Sequence, residues 1–275
     1  MGIFNSYRIR QRNEAKQTLG KISTANSRVL IVHYSCESFY DKSGYTPRVT
    51  CIGVLNRENN ESIVFSIHLQ AQILNKSIES LSSSDLNLVE KEMLSEFANF
   101  VSHHKNHIWV HWNMRSASYG FQAISNRFRI LGGDIIEVPD INKVDLSQVF
   151  YKMYTNKFEE HAPNGQLLNL AERNSISMRD ALPGKEEAAA FDGKNYLVLQ
   201  MSTMRKVEII DRLLSSQEIG KLKHGANMRE VYDLTIPGMI GMVRESSILL
   251  ILWTILVFII GAALEPLIQK YLSPV

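Results

Sequence analysis

Two cysteines and eight histidines are the side chains in this sequence best suited to act as nucleophiles, bases or metal ligands. Cys36 and Cys51 form no CxxC pair and have no His/Cys cluster beside them, so neither a zinc site nor a disulfide framework is expected. His33, Ser35 and Cys36 share one short string, HYSC. In an extended strand, positions 33 and 35 point one way and 36 the other, which argues against a nucleophile–base pair. Two buried thiols in a reducing compartment are the simplest reading. His33, His68 and His111 lie in strand-like patterns, where histidines satisfied by their neighbours are expected. His103, His104 and His107 lack a Cys or carboxylate partner and read as a solvated helix end. GxGxxG and GxxxxGK[ST] phosphate loops are both absent. The basic pair Arg205-Lys206 and the run KLKHGANMR read as a solvated face near anionic lipid headgroups.

These residues are carried by an ordered series of elements. RVLIVHYSCES (28–38) begins with a β-branched apolar run and predicts a buried strand. RVTCIGVLN (48–56) and ESIVFSIHLQ (61–70) predict two more, joined through the turns DKSGYTP and RENN. Such short connections imply antiparallel neighbours. A Ser-rich loop with Ser84 as N-cap leads into a helix whose Leu86, Val89, Met93, Phe97, Phe100 and Val101 share one face. HIWVHW (107–112) predicts a fourth strand, parallel to the first because a crossover precedes it. A helix with Tyr119, Ile124, Phe128 and Leu131 ends at Gly132-Gly133. Helices follow: VDLSQVFYKMY, GQLLNLAERNSI and a long stretch over about 183–214.

The chain has 275 residues and a formal charge of +2, from 30 Lys and Arg against 28 Asp and Glu. That balance excludes a strongly basic nucleic-acid coat and an acidic solvating tail. The N-terminus lacks the apolar core of a secretory signal. Its Met-Gly start with Ser6 formally fits a myristoylation motif, a short pattern that carries little weight alone. Residues 1–27 read as a basic, solvated arm. The run ILLILWTILVFIIGAAL (248–264) holds 17 residues without a charge and predicts a membrane-spanning helix at 247–265, with a short tail at 266–275. Lys221, Lys223, Arg229 and Arg244 precede it, whereas Lys270 follows with Glu265 opposing. The positive-inside rule therefore expects a single-pass cell-membrane protein with its bulk in the cytoplasm. Residues 216–246 read as a linker, in which IPGMIGMV is either an interfacial segment or a plain juxtamembrane connection. Gly261-Ala262-Ala263 would permit close helix approach, although anchoring alone is the leading expectation.

Three antiparallel strands, a helix, a parallel central strand and further helices resemble the ribonuclease H-like α/β fold, a mixed sheet with flanking helices. Local strings over about 28–215 resemble its DEDDh branch, the proofreading 3′→5′ exonucleases. The first strand carries Ser35-Cys36-Glu37 where that family has Asp-x-Glu. VHWNMRSASYGF stands at the strand end that precedes its second Asp, and LLNLAERNSI matches its Leu-x-x-Leu-Ala helix. KEEAAAFDGK stands at the last motif, with Glu187 at the His position and Asp192 retained. The resemblance implies a site of Glu37, Glu187 and Asp192, with Glu37 and Asp192 as ligands of Mg or Mn if the chain were active. The departures weigh against that. Ser35 offers a hydroxyl in place of the metal-bridging carboxylate, and no Asp or Glu lies between His111 and Gly133. Two-metal hydrolysis needs clustered carboxylates, and Mg²⁺ accepts neutral substitutes poorly.

A vestigial, non-catalytic site with no required cofactor is therefore expected. The leading expectation is a membrane-tethered module that binds nucleic acid, nucleotide, a protein partner or a second copy, in a defence or toxin role drawn from fold analogy. The alternatives are an active metal-dependent exonuclease with a reduced site, and a bilayer-perturbing effector whose cytosolic domain senses.

Overall fold

The first strand, β1 (Val29–Cys36), is buried on both faces along residues 29–35, which is why its sequence is a nearly continuous apolar run. Val29 and Ile31 join one core cluster; Leu30, Val32 and Tyr34 join the other. A computed structural model describes residues 6–25, 28–37 and 46–272. The myristoylation motif at Gly2, Ser38 at the end of the expected strand, most of the turn at 41–47 and the last three tail residues lie outside them.

β1 pairs antiparallel with β2 (Val49–Asn56), which pairs antiparallel with β3 (Glu61–Ser66). On its other side β1 runs parallel to β4 (Ile108–His111), with Val29 opposite Ile108, and β4 is parallel to β5 (Lys143–Asp145). The sheet order is β3-β2-β1-β4-β5. This is the mixed α/β architecture expected from the sequence. β5 was not anticipated: three residues are too few to show a period, and VDLSQVFYKMY reads as helix throughout. Its Val144 and Asp145 close the sheet, and the helix α5 (Leu146–Tyr154) starts only after them.

The face bearing Leu30 and Val32 is covered by α2 (Ile67–Ile73), α3 (Ser83–His103) and α4 (Phe121–Ile130). The third strand ends at Ser66, whose side chain caps α2, so HLQ is helical rather than extended. Ser82, not Ser84, caps α3, because Asp85 stands where it completes a reciprocal capping box. At the helix's other end, His103 and His104 bond the carbonyls of Asn99 and Phe100.

On the opposite face lie α1 (Tyr7–Thr24), α5, α6 (Gln166–Arg173) and most of α8 (Tyr196–Glu218). The long helix expected over 183–214 is two helices, α7 (Gly184–Asp192) and α8, separated at Gly193. Gly53 of β2 lets α8 cross closely: a Cβ there would stand 2.8 Å from Met204 Sδ and 3.1 Å from Val207 Cγ2.

Two segments differ from the solvated arm and linker expected of them. α1 buries Ala15 and Ile22, and its Arg12 is also buried. Leu222, Ala226, Val231 and Tyr232 join the same core cluster. The chain then runs through α9 (Met228–Val231) and α10 (Ile236–Glu245) into α11 (Ser247–Leu272). α11 contains a stretch, Ser247–Pro266, that is long and apolar enough to cross a membrane, with mean hydropathy 2.7 and none of it buried.

Candidate functional site

Parallel neighbours β1 and β4 hand the chain on in opposite directions, β1 to β2 and β4 towards β5. In open α/β sheets the crevice at the carboxyl ends of such strands is where ligands bind. Here a cleft of about 570 Å³ opens at that point. Its walls include His33, Ser35 and Glu37 from β1 and its end, Trp112 and Asn113 after β4, Gln166 of α6, Glu187 of α7 and Lys206 of α8.

Each side chain is brought there for a local reason. The β1–β2 register shifts between Ser35 and Cys36, a bulge that re-aims the strand end. Asn113 has φ 57°, a left-handed conformation that Asn tolerates. Its N–H donates to Asp145 Oδ1 at 3.0 Å, and Arg115 Nη1 donates to Asp145 Oδ2 at 2.6 Å. The carboxylate at the end of β5 thus anchors the loop after β4 beside the cleft. α8 lies close over β2 at Gly53, which places Ser202, Thr203 and Lys206 opposite Ser35.

The chemistry converges on Glu187. Its Oε1 lies 2.7 Å from Lys206 Nζ, accepts from Ser202 Oγ at 2.7 Å and from Ser35 Oγ at 3.2 Å. Ser35 and Thr203 share a hydrogen bond at 2.6 Å. The glutamate and lysine side chains are only 12% and 8% exposed, so this ion pair is held out of water. Around it burial sets the proton affinities. His33 is pushed well below its ordinary range, first by desolvation and then by the Lys206 charge, so it is neutral. Burial likewise lowers His111 to about 4. Its Nδ1 accepts the Met114 N–H at 3.2 Å, a role open only to the unprotonated nitrogen. Burial raises both thiols, Cys51 to about 12. His33 is not the satisfied sheet histidine expected: its Nδ1 is buried without a protein partner.

Glu37 and Glu187 therefore line one cleft, as the resemblance implied, but Asp192 does not. It lies five residues beyond Glu187, about 140° further round α7, and is exposed. The α8 residues facing Ser35 and Glu187 are Ser202, Thr203 and Lys206. Lys206 was expected on a solvated face; it is instead 7% exposed and turned into the cleft, while Arg205 pairs with Glu208. Its place was readable from spacing, since Leu199, Ser202, Thr203, Lys206, Ile210 and Leu213 recur along one helical face that is buried. What hid it was the neighbouring arginine.

These residues do not fit a two-cation centre. Ser35 is neutral where a bridging carboxylate is needed, Asp192 lies outside the cleft that Glu37 lines, and an ammonium already occupies Oε1 of Glu187. A divalent ion beside that ammonium would be repelled by it. Among the described residues, no group of three or more His, Cys, Asp and Glu side chains is placed to hold a metal ion. No family matches. Neither a protein-family model nor a curated protein corresponds to this chain.

A second cleft, of about 530 Å³, adjoins Glu37 on the far side and is lined by Arg48, Asn87 and Arg127. Both guanidinium groups bond the buried carboxylate of Glu90, which also accepts the Val49 N–H. This network ties α3 and α4 to β2.

Proposed function

We propose that the chain is a membrane-tethered, ribonuclease H-like module that binds a nucleic acid strand or nucleotide in the switch-point cleft without cutting it. The observation that carries this reading is the buried Lys206–Glu187 pair beside Ser35. The Lys206 ammonium itself neutralises Glu187, so the cleft keeps its shape without ion binding. The amides of Asn113, Asn164 and Gln166 and the exposed His161 offer hydrogen bonds, and the exposed Lys185 positive charge, to bases and phosphates. α11 supplies the tether, and the basic residues before it favour a cytoplasmic body. A defence or toxin role follows from this combination by analogy only.

The test is an exonuclease assay on the full-length protein in detergent or vesicles, with end-labelled single-stranded DNA and RNA and with Mg²⁺ or Mn²⁺. Retention of labelled strand without shortening is the expected result. Shortening that disappears with Glu37→Ala or Glu187→Ala would instead establish the active-exonuclease reading. Failure to retain either strand would leave a protein segment as the ligand class.

A further inference from the structure

Helix α10 has two unlike faces. Gly238, Gly241, Met242 and Glu245 recur at helical spacing and face the body. A Cβ on Gly241 would stand 3.3 Å from Ile9 Cδ1 and 3.4 Å from the Tyr232 ring, and Met242 packs against the core. Glu245 is held by Arg12 and Lys16 of α1 and accepts the Tyr232 hydroxyl at 2.7 Å. Arg12 in turn donates to the Met153 carbonyl at 2.7 Å and lies over the Tyr232 ring at 4.7 Å. Ser6 bonds Asp233, and Arg8 Nε donates to the Val231 carbonyl at 3.0 Å. α1 is therefore a clasp that fixes one face of α10 to the body.

The other face is exposed and apolar. Met239 and Ile240 are 44% and 53% exposed, and Leu234, just before the helix, is 82% exposed. Arg244 lies one turn beyond Ile240 on the same side and is also exposed. The nearby acids are already engaged, Glu245 with α1 and Asp233 with Ser6 and Thr235. Lys221, Lys223, Arg229 and Arg244 are exposed and take no salt bridge within the described residues. Only Ser246 separates α10 from the apolar α11, and its backbone is extended, so the helical axis breaks there. An apolar face that also carries the unpaired Arg244, one residue from a helix apolar enough to cross a membrane, matches the chemistry of the headgroup layer.

We propose that α10 lies in the headgroup layer of the bilayer that α11 crosses, inserting Leu234, Met239 and Ile240 among anionic lipids and thereby seating the body on the membrane. This rests on α11 spanning the bilayer, as proposed above. The clasp makes the seating rigid, because the face opposite the lipid is bound to α1.

The test uses spin labels on single-cysteine additions to the full-length protein in vesicles of phosphatidylcholine with phosphatidylserine: Ile240→Cys in α10, Ile255→Cys in α11 and Ile130→Cys in α4. Cys51 is buried and Cys36 half-buried, and burial shifts both thiols upward, so the exposed added cysteines label first. At 255 and 240, collisions with oxygen are expected to exceed those with a water-soluble nickel chelate; at 130 the order is reversed. Omitting phosphatidylserine is expected to raise nickel access at 240 and leave 255 unchanged. A label at 240 as open to nickel as that at 130, with 255 in lipid, overturns the proposal while leaving the span intact. Immersion at 240 unaffected by phosphatidylserine overturns the assignment to anionic lipid. A label at 255 in water removes the span itself.

Discussion

Glu187 and Lys206 are each tolerable in the cleft only because the other is there. An ion pair at 2.7 Å, with both side chains largely buried, gains its attraction against a large desolvation penalty. Removing one partner leaves the other as an unpaired buried charge. Lys206→Met is therefore expected to cost about 3 kcal/mol, and Lys206→Met with Glu187→Leu to recover most of that loss, because a well-packed apolar pair replaces a buried ion pair at little net cost. Urea unfolding of the full-length variants, followed by tryptophan fluorescence, checks both. A single variant as stable as the parent would show the pair to be solvated. At this scale the sequence was only partly legible. Ser35, Glu37 and Glu187 are marked only by a resemblance that also marks Asp192, which lies outside the cleft. Helical spacing places Lys206, Ser202 and Thr203 on the inward face of α8, but their role depends on how closely α8 passes over Gly53, a distance no local string encodes.

Elements were more legible where their period was long. β1, β2, α3 and β4 follow from alternation or helical spacing, and the mixed order follows from connection length. The basic N-terminus misled for a physical reason. α1 has a low apolar content, and its key inward residue is an arginine, so the hydrophobic pattern that marks a packed helix is weak. The partners of Arg12 lie far away in sequence, Met153 at 141 positions, Tyr232 at 220 and Glu245 at 233. The clasp has a pH signature. Desolvation opposes ionisation of Glu245, but hydrogen bonds from Arg12, Lys16 and Tyr232 outweigh it and hold the carboxyl at about 2, below its ordinary 4.5. A depressed carboxyl stabilises the folded state fully above 4.5, and that contribution is lost as pH falls from about 4.5 towards 2. Hydrogen exchange of α10 should thus stay slow to below pH 4, then rise. Arg12→Ala, which removes the buried guanidinium, should expose α10 to exchange already at neutral pH and cost roughly 2–3 kcal/mol. Unchanged exchange in Arg12→Ala would show that α10 is held by its apolar contacts alone.

At the scale of the whole molecule, the α/β body and the long apolar helix α11 are continuous. The segment expected to be a loose linker buries Leu222, Ala226, Val231 and Tyr232 in the main core, and the last residue of α10 is bound to the first helix. A soluble form should therefore keep Glu245 and end after Ser246. This arrangement ties the switch-point cleft, the clasp and the apolar α11 to one sheet through α8, whose Gln217 accepts the Tyr154 hydroxyl at 2.6 Å beside Arg12. The central claim is that the cleft is complete without divalent cations. Calorimetric titration of the full-length protein with Mn²⁺ tests it most directly. No saturable binding is expected in the parent chain; saturable Mn²⁺ binding abolished by Glu187→Gln or Glu37→Gln would contradict it.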